Sequence, residues 1–266
     1  MTEVHTLASG SSGNALVLSC GSTHILLDAG ISCRRIAKSL QALGLALEDL
    51  SAVLITHTHS DHISGLQTFV KKSRVPIYAS EAAARGLSYR VAGVDDFLRP
   101  FAPEERLSIG ACSVTPFSTS HDAAGSTGYR VDTDDGAVGV LTDTGFVTDG
   151  AAEVLPGVDL LVLEANHDVE ALQSGPYPYY LKRRILGQEG HLCNEDAGRF
   201  AAAMAESGAS EIVLAHLSKE NNTPAMALRT VETCLSAAGV RPSLSVAPRD
   251  ELSRGYLVKR SVPCRG

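Results

Sequence analysis

A chain of 266 residues with 44% hydrophobic and 20% charged residues has the balance of a folded globular protein rather than a disordered or membrane one, with enough apolar material for one large core. No run reaches the ~18 apolar residues of a membrane span, and the start MTEVHTLASG carries neither part of a secretory signal, so membrane insertion and export are not expected and the cytoplasm is. A net charge of −7 excludes a surface basic all over, though not a local basic cleft, and the lack of Trp with 5% aromatics argues against extended base-stacking platforms.

The predicted elements begin with short β-rich runs, VHTLAS, NALVLSC and THILLDA, separated by Gly and Ser turns as antiparallel strands are. ISCRRIAKSLQALG has helical spacing, and SAVLIT reads as a buried strand ending at THTHSDH. HISGLQTFVKKS then predicts one helix, PIYAS a strand, and SEAAARGLSYR a helix capped by Ser80. ERLSIGACSVTPFSTSH, GSTGYRVDT and GAVGVLTDTG return to strands, with DTDDGA as a hairpin turn. Helical FVTDGAAEVL, strand VDLLVLEA, helical YPYYLKRRIL and NEDAGRFAAAMAESG, strand EIVLAHLS and helical PAMALRTVETCLSAAG follow. Both halves mix strands and helices with no linker between them, which predicts two packed sheets flanked by helices, a four-layer α/β arrangement in one domain over 1–266. Cys20, Cys33, Cys112, Cys193, Cys234 and Cys264 form no C-x-x-C pair and read as reduced thiols.

THTHSDH spends three of the chain's nine histidines in seven positions, and its pattern H-x-H-x-D-H arises from composition alone on the order of once in two thousand such chains. The period of two puts His57 and His59 on one side of an extended segment, so both imidazoles converge on one metal. Asp61 and His62, past the turn, point toward a second ion. Four ligands are too few for two metals, and His121, Asp143 and His216 each lie at the C-terminal tip of a later strand, where α/β sites assemble.

THTHSDH, His121, LTDTG and AHLS together resemble the metallo-β-lactamase superfamily. Within it, LASGSSGNALVL, LEANHDVEAL, YPYYLKRRILGQEGHLCNEDAG and AHLSKENN are similar to the YycJ/WalJ group of bacterial exonucleases. The resemblance implies an αββα sandwich with His57, His59 and His121 on a first divalent ion, Asp61, His62 and His216 on a second, and Asp143 bridging them. His and Asp ligands suit Zn, Mn or Fe alike. Two such ions lower the pKa of a water held between them to give hydroxide and stabilise charge on the attacked and leaving oxygens.

GHLCNEDA resembles the GHSTAEQA-like segment of ribonuclease Z, which places His191 on that segment's histidine and Glu164 of LVLEAN on the glutamate proposed to partner it; Leu163 departs from the pattern. An imidazolium oriented by a carboxylate can bind a phosphate oxygen and protonate a leaving alkoxide. Asp61 is counted with His191 and Glu164 as catalytic as well as ligating. A histidine that only covers the following helix is the competing reading of His191.

Lys182, Arg183 and Arg184, preceded by Tyr177, Tyr179 and Tyr180, suit phosphate contact with nearby stacking, and suit a solvated helix face almost as well. Ser9, Ser11, Ser12 and Asn14 of SGSSGN either aim donors at a phosphate or form a plain turn, and His167 either reaches the site or packs a loop. His5 and His24, in strands without acidic company, read as structural. Only 72 residues separate Asp143 from His216, too few for a β-CASP insertion, and no glycine-rich basic arm of the ribonuclease Z type is evident.

The expected function is a cytoplasmic two-metal phosphodiesterase acting on DNA, as a 5′-to-3′ exonuclease by resemblance. A small-molecule hydrolase, either a cyclic-phosphate phosphodiesterase or a glyoxalase-II-like thioesterase, is the alternative. A metal-bound partner without activity is the third reading. Self-association into a homo-oligomer stays open.

Overall fold

The computed structural model describes residues 1–102 and 105–260, and within them each half of the chain builds most of one seven-stranded sheet. The first half runs β1 (Thr2–Ala8), β2 (Ala15–Cys20), β3 (Thr23–Leu27), α1 (Cys33–Ala42), a 3₁₀ turn (Leu47–Asp49), β4 (Ala52–Leu54), α2 (Ser60–Ile63), α3 (Leu66–Lys72), β5 (Ile77–Ser80), α4 (Glu81–Arg90) and β6 (Leu98–Phe101). The second runs β7 (Leu107–Ile109), β8 (Cys112–Ser118), β9 (Thr127–Thr133), β10 (Gly136–Leu141), α5 (Asp149–Val154), β11 (Leu160–Glu164), α6 (Val169–Ser174), α7 (Tyr179–Ile185), α8 (Asn194–Glu206), β12 (Glu211–Ala215), α9 (Pro224–Ala237) and β13 (Ser243–Val246), before β14 (Tyr256–Leu257) crosses back to the first sheet.

The strand orders are β14-β1-β2-β3-β4-β5-β6 and β13-β12-β11-β10-β9-β8-β7. Each sheet joins an antiparallel section, β1 to β3 or β7 to β10, to a parallel one, β3 to β6 or β10 to β13. Parallel strands need crossovers, and the crossing helices cover the outer faces. Strand alternation therefore feeds two layers at once. In β11, Leu160 and Val162 enter the layer between the sheets with Leu18, Leu54, Val114 and Val140, while Leu161 and Leu163 pack outward with Phe200, Val231 and Leu235 of α8 and α9. Val53 and Ile55 face Ile36, Leu40, Phe69 and Leu87 of α1, α3 and α4 on the other side. This is the expected αββα order of layers.

Three expectations change in detail. HISGLQTFVKKS is two helices, α2 and α3, because Gly65 packs against another strand end: its N–H donates to Ala29 O at 2.8 Å, and a Cβ there would lie 2.1 Å from Ile31 O. His5 is not without acidic company, since Glu3 on the same strand face brings Oε2 to 3.5 Å from its Nε2. Strands β6, β13 and β14 and helix α6 add to the predicted elements; the three strands are short edges, β6 with a proline, where the apolar pattern is weakest. Cys264 lies outside the described residues, and Cys20, Cys33, Cys112, Cys193 and Cys234 are free thiols.

Candidate metal centre

The site forms where the parallel strands of both sheets end. Residues 55–59 leave the sheet after β4, Asp28 follows β3, His121 follows β8, Asp143 follows β10, Glu164 ends β11 and His216 follows β12. Three of these turns carry a non-glycine residue in the left-handed region: Asp28 at φ 61°, Asp143 at φ 56° and His216 at φ 54°. Such backbone costs on the order of 1–3 kcal/mol each and persists where the surrounding structure imposes it. Here it turns each chain sharply off its strand and aims a polar side chain into the seam between the sheets.

Among the described residues four overlapping groups of donor atoms result, one of them Asp143 with Glu164, His191 and His216. Ligand atoms of His57, His59 and His121 lie within 4.8 Å of one another, as do those of Asp61, His62 and His216. Asp143 stands between, grouped with His57 and His62 in the same range and 3.3 Å from His62 Nε2. The sequence-predicted ligands are thus all brought together.

The outer partners fix which nitrogen faces inward. Asp28 Oδ2 accepts from the Thr56 hydroxyl at 2.8 Å and from His62 Nδ1 at 2.7 Å. With its proton spent on Asp28, the Thr56 oxygen accepts from His57 Nδ1 at 3.0 Å. His121 Nδ1 donates to Gly190 O at 3.0 Å, and His216 Nδ1 to Glu164 Oε1 at 2.8 Å. Each imidazole therefore turns Nε2 toward the clusters, as metal-ligating histidines do when a carboxylate or carbonyl holds the other nitrogen. His59 is reversed: its Nδ1 lies 3.2 Å from His121 Nε2, and its Nε2 lies 3.5 Å from Asp122 Oδ1.

These donors fit a divalent cation. His57 Nε2, His216 Nε2 and Asp143 Oδ2 are buried without a hydrogen bond, a costly state that a cation relieves. Burial and four neighbouring histidines hold His57 far below the usual imidazole range, so it offers a lone pair. Burial opposes a charge on His62, yet Asp143 and Asp28 push it up to about 9, and Asp143, Asp61 and Glu164 likewise raise His216. Burial would raise Asp61, but His216 and His62 hold its carboxyl below the usual carboxylate range. Without metal, protons sit where the site's carboxylates call for positive charge.

Glu164 is fully buried and accepts four hydrogen bonds. Oε1 takes Nδ1 of both His191 and His216 at 2.8 Å, while Oε2 takes the backbone N–H of Thr144 at 3.1 Å and of Leu192 at 3.0 Å. Burial works against its ionisation, but His191 and His216 keep the carboxyl well below its usual range. His191, partly exposed, brings Nδ1 to 3.7 Å from Asp143 Oδ1 and so stands at the edge of the donor clusters with Nε2 free of Glu164.

The remaining candidates divide. Ser9 Oγ accepts from His216 N at 2.8 Å, and Asn14 Nδ2 lies 3.1 Å from His62 Nε2 while its Oδ1 takes Gly10 N at 2.8 Å, so both buttress the ligands. Ser11 and Ser12 are exposed on the turn. His167 is buried with both ring nitrogens unpartnered, and burial pushes it down to about 4. Lys182 is committed to the carbonyls of Gln173 at 2.6 Å and Gly175 at 2.7 Å, Arg184 pairs with Asp122 at 2.5 Å, and Arg183 lies over Tyr179. Sequence reasoning passed over Asp28, Thr56 and Asp122. Asp28 alone had a signal, an acid at the end of the apolar strand THILLDA; Thr56 and Asp122 were adjacent to ligands.

A family model described as a β-lactamase superfamily domain matches residues 23–217. An exodeoxyribonuclease YycJ of Bacillus anthracis is 37% identical over 234 residues, covering 88% of this chain and 89% of its own. The chain belongs to the metallo-β-lactamase superfamily, in its YycJ/WalJ group. An exodeoxyribonuclease WalJ of Streptococcus pneumoniae is 39% identical over 235 residues, 87% of each chain. The metallo-β-lactamase fold protein YhfI of Bacillus subtilis superimposes with a TM-score of 0.72 at 19% identity, over 95% of this chain and 98% of that one, which confirms the metallo-β-lactamase fold.

Proposed function

We propose that the protein is a two-metal exodeoxyribonuclease, a phosphodiesterase that removes nucleotides from DNA ends in the 5′-to-3′ direction. The observation that carries this reading is the Glu164–His191 pair, joined at 2.8 Å beside the donor clusters in a chain whose 37% and 39% identical relatives are named exodeoxyribonucleases. His57, His59 and His121 would hold one ion, Asp61, His62 and His216 the other, and Asp143 would reach both. When bound, such ions supply Lewis-acid stabilisation of phosphoryl oxygens and a nucleophile at neutral pH.

The chain's own residues do the rest. Glu164 keeps its charge and fixes His191 through Nδ1, so Nε2 carries the proton that is exchanged. His191 Nε2–H hydrogen-bonds a phosphate oxygen and gives its proton to the leaving alkoxide as the phosphorus–oxygen bond breaks. Asp61, bonded through its backbone oxygen to Asn14 N at 2.7 Å, keeps its carboxylate toward the His62 and His216 rings. Residues 1–266 form one catalytic unit without a β-CASP insertion. Among the described residues no helix is long and apolar enough to cross a membrane, and a cytoplasmic location suits a DNA substrate.

The test uses manganese- or zinc-loaded protein with DNA labelled separately at its 5′ and 3′ ends. Stepwise products from the 5′ end support the reading; internal cuts, or no cuts beside hydrolysis of small diesters or thioesters, overturn it. His191→Asn should keep the parental metal content and lose on the order of 10²–10⁴-fold in kcat. The loss should shrink on substrates with an acidic leaving group, which needs no protonation.

A further inference from the structure

The wall of the site built by α7 carries a surface that hydrolysis itself does not require. His191 N donates to Ile185 O at 3.1 Å, Gly190 O takes His121 Nδ1, and Asp122 N donates to Glu189 O at 3.2 Å, so the C-terminal end of α7 is stitched to the catalytic histidine and to a ligand. A helix of seven residues is too short to hold itself together. Buried Ile185 and the Lys182 bonds to Gln173 O and Gly175 O anchor it from one side. The other side faces solvent, with Tyr179 75% and Tyr180 74% exposed and Arg183 and Arg184 one turn further on.

Single exposed aromatics are ordinary. Two adjacent exposed rings stand beside two guanidinium groups, Arg184's already paired with Asp122, on an element tied to the reacting centre. The Arg183 guanidinium lies 6.0 Å from the Tyr179 ring centroid, and Arg184 leads inward through Asp122 to His59. Aromatic rings beside cations are how proteins hold single-stranded nucleic acid, because every base has a face to stack and every linkage a charge. Bases inside a duplex offer no such face. From Tyr179 to Ile185 the helix rises roughly 9 Å, about the span of two to three stacked nucleotides at ~3.4 Å each.

Building on the nuclease reading, we infer that the outer face of α7 binds a single-stranded DNA end, with Tyr179 and Tyr180 stacking on bases two to three nucleotides from the phosphate that is cut. Arg183 takes a phosphate beside them. The enzyme then works on frayed or overhanging ends in preference to blunt ones.

The experiment compares the metal-loaded parental protein with Tyr179→Ala/Tyr180→Ala and Tyr179→Phe/Tyr180→Phe variants, on duplexes with a single-stranded overhang and on bis(p-nitrophenyl) phosphate. The alanine variant should raise KM for the overhang DNA about tenfold per ring removed, with kcat little changed, and the phenylalanine variant should restore it. The small diester, too short to reach α7, should be turned over at the parental rate. An unchanged KM, or an equal loss on the small diester, overturns the inference. So does an altered oligomeric state by light scattering with KM unchanged, which assigns the face to a second copy of the chain. No DNA cleavage by the parental protein removes the nuclease reading and this one together; parental cleavage with indistinguishable variants removes only this one.

Discussion

One oxygen of Glu164 accepts from two imidazoles with different duties, since His216 belongs to the donor clusters and His191 stands at their edge. Glu164→Gln keeps the volume but puts an amide where a full negative charge was. The second partner of a ligating histidine is typically worth about 10–100-fold in metal affinity. Glu164→Gln should therefore weaken metal binding, measured by competition with a chelating dye, and lower kcat further than the metal loss explains. His191→Asn should change only the second quantity. Equal effects from both substitutions would refute the division of labour. The same scale shows what a sequence can hide: THTHSDH announces itself by density, whereas Asp28 acts on His62 and, through Thr56, on His57, from a loop nearly thirty residues away. Only folding reveals that its φ is left-handed and its carboxylate satisfied by the ligand segment.

At the scale of elements, the ligand loops are held by backbone crossing backbone. Gly30 passes so close to the ligand segment that a Cβ would lie 1.6 Å from Asp61 O and 2.7 Å from Asn14 N. Gly30→Ala should displace α2, destabilise the protein by on the order of 3 kcal/mol, and lower metal content; thermal unfolding and metal analysis check both. Gly150, in α5 with nothing nearer than 3.8 Å, should gain roughly 0.5–1 kcal/mol as alanine, since its side chain meets only ordinary van der Waals contacts and helix propensity decides. Elements with strong apolar rhythm, such as β11, β12, α8 and α9, were legible in sequence because burial repeats at their period. The split between α2 and α3 was not, because its cause, the Ile31 carbonyl, arrives from the loop between β3 and α1. Nor were β13 and β14, whose edge positions demand little apolar pattern.

For the whole molecule, charge in the seam ties stability to pH. In metal-free protein His62 titrates at about 9, against 6.5 for an ordinary imidazole, and His216 is raised as well. A raised imidazole lends stability fully below the unfolded value and loses it as pH climbs through the folded one. His57, which is depressed, adds a rising slope that fades about one pH unit above the ordinary 6.5, where it is neutral in both states. Chelated protein should thus show a Tm that falls between pH 6.5 and 9. Metal-loaded protein, whose ligands have already given up their protons, should show a flatter profile over that window; parallel profiles would contradict the assignment.

The candidate ligands also divide by half-chain: His57, His59, Asp61 and His62 come from the first sheet's half, and His121, Asp143 and His216 from the second. An ion held by both would be a rivet between two halves whose shared layer is mainly apolar, with polar links such as Tyr129 OH to Ile55 O at 2.6 Å. Once riveted, neither half can open without releasing it. Amide exchange in β4 and in β12 should slow together when metal is added, and the two strands should exchange at separate rates when it is withdrawn.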